Sequence, residues 1–124
     1  MLIFIAEPNE DLRLGLQMLL QRDAGMHVIG MAVQAQGLVI QVEASQAELL
    51  ILDWHLPGGN MTELFSEISG LAAPPKVIVL AVNPDVKAQA LAAGADGFIS
   101  KNLPPDELLE VLRSVKKNSM ESAN

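Results

Sequence analysis

Leu49-Leu50-Ile51-Leu52-Asp53-Trp54-His55-Leu56-Pro57-Gly58 is the stretch that decides the fold of this chain. Four consecutive aliphatic residues read as a strand buried on both faces, the kind found in parallel sheets whose two sides are covered by helices. Asp53 closes the run. A carboxylate at the carboxyl end of such a strand stands where open α/β sheets place their ligands. The turn signal Pro57-Gly58-Gly59 is then expected to lift the chain away and leave that carboxylate exposed at the sheet edge.

Working outward, short aliphatic runs alternate with amphipathic stretches. Leu2–Ala6 reads as a first strand. Asn9 is a cap for the helix that follows, Glu10 and Asp11 favour its positive end, and Leu12, Leu16, Leu19 and Leu20 share one face. His27–Met31 is a second strand, and 35–44 a helix with Leu38 and Val42 inward. Met61–Ile68 is a third helix, with Leu64, Phe65 and Ile68 on one stripe. Pro74-Pro75 breaks the chain before a Val-Ile-Val-Leu strand over Lys76–Ala81. Asn83-Pro84-Asp85 reads as cap, first-position proline and first-turn acid of a helix ending at Gly94. Gly97–Ser100 is a short fifth strand, and Pro105 opens a last helix with Leu108, Leu112 and Val115 inward. Five such units imply an α/β three-layer sandwich of flavodoxin-like (βα)5 type, with a parallel sheet in the order 2-1-3-4-5. In that order Glu7, just after the first strand, lies beside Asp53. The domain is expected over residues 1–118, with 119–124 a polar tail or the start of a linker.

Composition narrows the function. A chain of 124 residues makes one domain with a single real core, and with only four aromatic residues that core is aliphatic. The balance of 15 acidic against 8 basic residues, −7 overall, argues against direct nucleic-acid binding, which needs clustered Lys and Arg. The absence of cysteine excludes disulfides and thiolate metal sites. No apolar run approaches the roughly 18 residues of a membrane span, and the expectation is a soluble, cytoplasmic protein with no membrane partner. His27 and His55 share no ligand spacing, and the six methionines read as core filler.

Four strings together carry a resemblance. Leu-Leu-Ile-Leu-Asp53-Trp-His-Leu-Pro57-Gly resembles the phosphoacceptor strand and turn of response-regulator receiver domains, the CheY-like modules of two-component signalling. Ala92-Ala-Gly-Ala-Asp-Gly-Phe-Ile-Ser-Lys101 resembles the segment that carries that family's lysine. Asn9-Glu-Asp-Leu-Arg-Leu-Gly-Leu and Pro105-Asp-Glu-Leu-Leu resemble its first and last helices, closest to the subgroup that precedes helix-turn-helix output domains. The similarity covers roughly residues 2 to 117. It implies that Asp53 is the phosphoacceptor, attacking a phosphohistidine of a sensor histidine kinase, and that Lys101 pairs with the carboxylate and then the phosphoryl group.

The resemblance also exposes departures. Receivers hold Mg²⁺ with two adjacent carboxylates after the first strand, the phosphoacceptor, and a backbone carbonyl two residues beyond it. This chain offers Glu7, Asp53 and the carbonyl of His55, with Pro8 where the second acid belongs, so the implied Mg²⁺ site is weak or absent. The hydroxyl that ends the fourth strand is replaced by Ala81, and the switch aromatic is Phe98, without a hydroxyl. The stretch between Ala81 and Gly94 is also about two residues shorter than is usual for the family. Loss of charge neutralisation and of a donor slows phosphoryl transfer where electrostatics dominate. The expectation is therefore an atypical receiver, a signalling module and not an enzyme, acting through protein–protein interaction with phosphorylation at Asp53 weakened. The alternative is a conventional receiver phosphorylated with Mg²⁺ and controlling a DNA-binding output domain in a longer chain. A homodimer through the fourth and fifth helices is a further implication. Aspartate-nucleophile hydrolases of the haloacid dehalogenase kind fit less well, because they place a second acid where this chain has His55.

Overall fold

A strand with no polar face needs a helix on each side, and the chain supplies them in strict alternation. The computed structural model describes residues 1–122. Its elements are β1 (Leu2–Ala6), α1 (Glu10–Gln21), β2 (His27–Ala32), α2 (Leu38–Ser45), β3 (Leu49–Asp53), α3 (Met61–Ser69), β4 (Lys76–Ala81), α4 (Val86–Ala93), β5 (Gly97–Ser100) and α5 (Pro105–Ser122). The five strands form one sheet in the order β2-β1-β3-β4-β5, every pair parallel. This is the flavodoxin-like arrangement expected from the sequence.

Alternation along β3 divides the core in two. Leu49 and Ile51 face Leu16 and Leu20 of α1 and Leu112 of α5. Leu50 and Leu52 face Leu38 and Val42 of α2, Phe65 and Ile68 of α3, and Ala90 of α4. Each fully buried aliphatic side chain contributes about 1.5–3 kcal/mol relative to exposure, so the two faces of β3 together anchor all five helices. The helix starts at α1 and α3 follow the capping logic: Asn9 Oδ1 accepts from Leu12 N–H at 2.9 Å and Asn60 Oδ1 from Glu63 N–H at 3.1 Å.

Three boundaries differ from the sequence reading by two residues or more. Helix α2 begins at Leu38 and not at residue 35, because Gly37 adopts φ +76°, a left-handed conformation that cannot lie inside a helix. Helix α4 begins at Val86. Asn83 closes an Asx turn on Asp85 N–H (2.9 Å) and, with Pro84, forms a separate turn before the helix. Helix α5 runs on to Ser122, into the expected tail, since residues 116–122 contain no Gly or Pro to stop it. Residues 123–124 lie outside the described residues.

β2 is joined to β1 with a register shift between Ile3 and Phe4, which leaves Ile29 without a partner in the ladder. Gly30 follows the shift. A Cβ there would lie 2.5 Å from the ring of Phe4, itself buried at 3% exposure. Gly30→Ala is accordingly expected to destabilise by about 1–3 kcal/mol through overpacking, and Phe4→Leu in the same chain to recover most of the loss. Urea denaturation of the two variants checks this.

Candidate functional site

The register of the sheet builds the site. Ala6 of β1 pairs with Leu52 of β3, so the next residues, Glu7 and Asp53, stand side by side at the carboxyl edge. Lys101 arrives from the other side: its N–H donates to Ala81 O at 2.9 Å, which fixes it just beyond β5. Its ammonium reaches back between the two acids, 2.8 Å from Glu7 Oε1 and 3.3 Å from Asp53 Oδ1. Glu7 is wholly buried, and only 3% of Asp53 is exposed.

Glu7 is held from several directions. Its Oε2 accepts from Asn9 N–H at 3.0 Å, and its own N–H donates to Ala32 O of β2 at 3.0 Å. Arg13 Nη1 donates to the carbonyls of Glu7 and Pro8, at 2.9 and 3.4 Å. Among the described residues Glu7 Oε1 makes no well-directed hydrogen bond; the ion pair with Lys101 is what satisfies it. Asp53 Oδ1 accepts a long hydrogen bond from His55 N–H at 3.3 Å.

Electrostatics follow from this packing. Burial by itself would lower the Lys101 pKa. The close contact with Glu7, and the charges of Asp53 and Glu7, more than offset it and hold the ammonium above its ordinary value. Lys101 is therefore cationic throughout the neutral range, and two carboxylates share one cation.

Asp53 is buried, contrary to the expected exposure. The ladder continues one residue past it, with Trp54 N–H donating to Leu80 O at 2.9 Å, and Leu56 N–H turns back to Asp53 O at 3.2 Å. Trp54 and Leu56 both pack on the core, so the turn that leaves the sheet after Asp53 stays folded against the protein until Pro57, the first exposed residue after Leu56. His55 is exposed and its side chain stands clear of the core. Ala81 is buried at the end of β4, and Phe98 is half-buried against the same apolar cluster, neither with a hydroxyl to offer. Glu7, Asp53 and Lys101 thus come together as expected. Arg13 is the member that sequence reasoning missed. Helical side chains lean toward the N-terminus, so an Arg on the first turns of α1 was placed to serve the carbonyls before Asn9.

As a donor set, the site offers two carboxylates and the His55 carbonyl in the turn beside them. Two carboxylates suit a Mg²⁺ ion that keeps waters and phosphoryl oxygens for the rest of its octahedron. Pro8 adds no ligand, and no cluster of three or more His, Cys, Asp or Glu placed to hold a metal occurs among the described residues.

The comparisons with known proteins agree on one family. Residues 3–113 match the response regulator receiver domain. The chain is 28% identical over 115 residues to the response regulator UvrY of Escherichia coli O6:H1, covering 91% of this chain and 53% of that protein. It is 30% identical over 113 residues to the transcriptional regulatory protein DesR of Bacillus subtilis, covering 91% and 57%. The chain therefore spans little more than half the length of these curated relatives. The crystal structure of the response regulatory domain of mrkE from Klebsiella pneumoniae superposes with a TM-score of 0.86 at 16% identity, over 98% of this chain and 99% of that one; at that identity the match speaks for the fold.

Removing the shared cation should leave two adjacent buried carboxylates uncompensated. Lys101→Met is expected to cost roughly 2–4 kcal/mol, somewhat below a fully buried pair because part of the lysine is solvated. Replacing Glu7 by Met in the same chain should restore much of it. The folded-state pKa of Lys101 is raised, so its stabilisation is complete below the unfolded lysine value of about 10.4. It is lost as pH rises through the higher folded value. Denaturation at pH 8 to 12 should show this decline in the parent chain and its absence in Lys101→Met.

Proposed function

The chain belongs to the response regulator receiver domain family, and from that premise we propose that it is an atypical receiver, a signalling module that works through protein–protein contacts with a weakened phosphoacceptor at Asp53. The observation that carries this reading is the closed triad: the Lys101 ammonium rests on Glu7 and Asp53 together, 2.8 and 3.3 Å away. The cation meant for an incoming phosphoryl group is already engaged by two carboxylates. Phosphorylation at Asp53 requires Lys101 to release Glu7 and requires a further positive charge to offset the phosphoryl oxygens.

Mg²⁺ would supply that charge, held by Glu7, Asp53 and the His55 carbonyl. Pro8 contributes nothing to it, and at Ala81 no hydroxyl donates to the phosphoryl group, so both the ion and the group bind weakly. Under this reading the domain has no turnover chemistry of its own. Its partners are a sensor histidine kinase or another signalling protein, and an output domain in a longer chain; the overall charge of −7 does not suit direct nucleic-acid binding.

A conventional receiver is the second reading. It is favoured by the retention of both Asp53 and Lys101 and by the names of the relatives, a response regulator and a transcriptional regulatory protein.

Titration with Mg²⁺, with and without beryllofluoride, separates the two, with Trp54 fluorescence reporting on the adjoining Asp53. The atypical reading expects no saturable change at low millimolar Mg²⁺. It also expects Pro8→Asp with Ala81→Thr to tighten the response by at least about tenfold, the scale on which even outer-shell changes alter metal sites. A saturating response of the parent chain at low millimolar Mg²⁺ would establish the conventional receiver instead.

A further inference from the structure

A cleft where α1 meets the end of β2 and the loop beyond it collects polar side chains with nothing to bond to. Arg13 of α1, Gln34 and Gln36 of the loop, and Gln41 of α2 line it, with Met31 and Val33 on its apolar side. Among the described residues the three glutamine side chains make no hydrogen bond and Arg13 makes no ion pair. The guanidinium is nonetheless fixed in place. Its Nη1 donates to the carbonyls of Glu7 and Pro8, at 2.9 and 3.4 Å. That leaves Nε and Nη2, one complete edge of the planar fork, without a partner, and such an edge matches an oxyanion with two parallel charge-assisted bonds.

Charge selects the class of ligand. Arg13 is the only charged residue on the lining, and residues 24–42, which supply the rest of it, contain no Asp, Glu, Lys or Arg. Lys76, Lys101 and Arg113 each rest on a carboxylate. Arg13 does not, in a chain with 15 acids for 8 bases. Its positive charge is therefore uncompensated within the cleft, and the carboxamides beside it can donate further hydrogen bonds to the same group. The volume sets the size. At about 260 Å³ the cleft falls below the roughly 300–1,000 Å³ of sites that take drug-sized molecules.

We propose that this cleft binds a small solute carrying an oxyanion, a carboxylate or a phosphate group. The free edge of Arg13 takes the charge, the carboxamides of Gln34, Gln36 and Gln41 bond the remaining oxygens, and Met31 and Val33 pack on the body of the solute. The site lies apart from the Glu7–Asp53–Lys101 triad, although Arg13 also holds the carbonyl of Glu7. The inference does not depend on whether Asp53 accepts a phosphoryl group.

Titration with inorganic phosphate, and separately with acetate, tests this against chloride at equal ionic strength. The readout is the NMR signals of Arg13 Nε–H and of the side-chain amides of Gln34, Gln36 and Gln41. Saturable shifts of these signals at millimolar phosphate or acetate are expected, and the tighter of the two names the group. Arg13→Gln should weaken the response by about tenfold or more, the scale of losing a hydrogen bond to a charged group. Gln36→Glu places an acid in the cleft and spares the bonds to Glu7 and Pro8; it should weaken the response as much. Gln89→Glu, at an exposed position of α4, should leave it unchanged. Shifts no larger than those with chloride would overturn the proposal. So would shifts centred on Trp54 and His55 with the glutamines silent, or saturable binding that persists in Gln36→Glu.

Discussion

Everything at the carboxyl edge of this sheet depends on one ammonium group serving two buried carboxylates. Glu7 and Asp53 are adjacent because β1 and β3 are adjacent, and both are buried. Two such charges in so little water are tolerable only with a cation between them. Lys101 takes that place, anchored by its own N–H to Ala81 O on β4. The lysine thus links three strands: β1 through Glu7, β3 through Asp53, and β4 through its backbone. The longer arm of a Glu at position 7 matters here, since it brings Oε1 to 2.8 Å from the nitrogen while Oε2 caps Asn9 N–H.

Much of this was legible in the sequence, and the parts that were not share a cause. Leu49–Leu52 and Val77–Leu80 are strands without ambiguity because an unbroken aliphatic run leaves no polar face, and their order follows from the spacing of parallel crossovers. The pairing of Glu7 with Asp53 follows from that order. What could not be read was tertiary: Asp53 was expected to be exposed, and it is buried because Trp54 N–H extends the β3–β4 ladder and Leu56 packs inward. The Pro57-Gly58-Gly59 signal was real but acts four residues too late to free the carboxylate. The start of α2 was misplaced for a local reason, since Gly37 can lie in a helix or in a left-handed turn and composition does not say which. Arg13 was invisible because its partners are carbonyls, which leave no mark in the sequence.

The site is tied by backbone to the end of β2 and to the loop after it. Ala32 O, at the end of β2, accepts from Glu7 N–H at 3.0 Å, and Ala35 N–H, in the loop beyond, donates to Pro57 O at 2.9 Å. The packing there is close: a Cβ on Gly59 would lie 2.7 Å from Cβ of Ala35. The segment 32–35 therefore holds the backbone of Glu7 and the turn that follows Asp53. Ala81 has no hydroxyl through which β4 would sense a group on Asp53, whereas these two hydrogen bonds meet the triad from the opposite side. The loop between β2 and α2 is thus the element bonded both to the backbone of Glu7 and to the turn after Asp53.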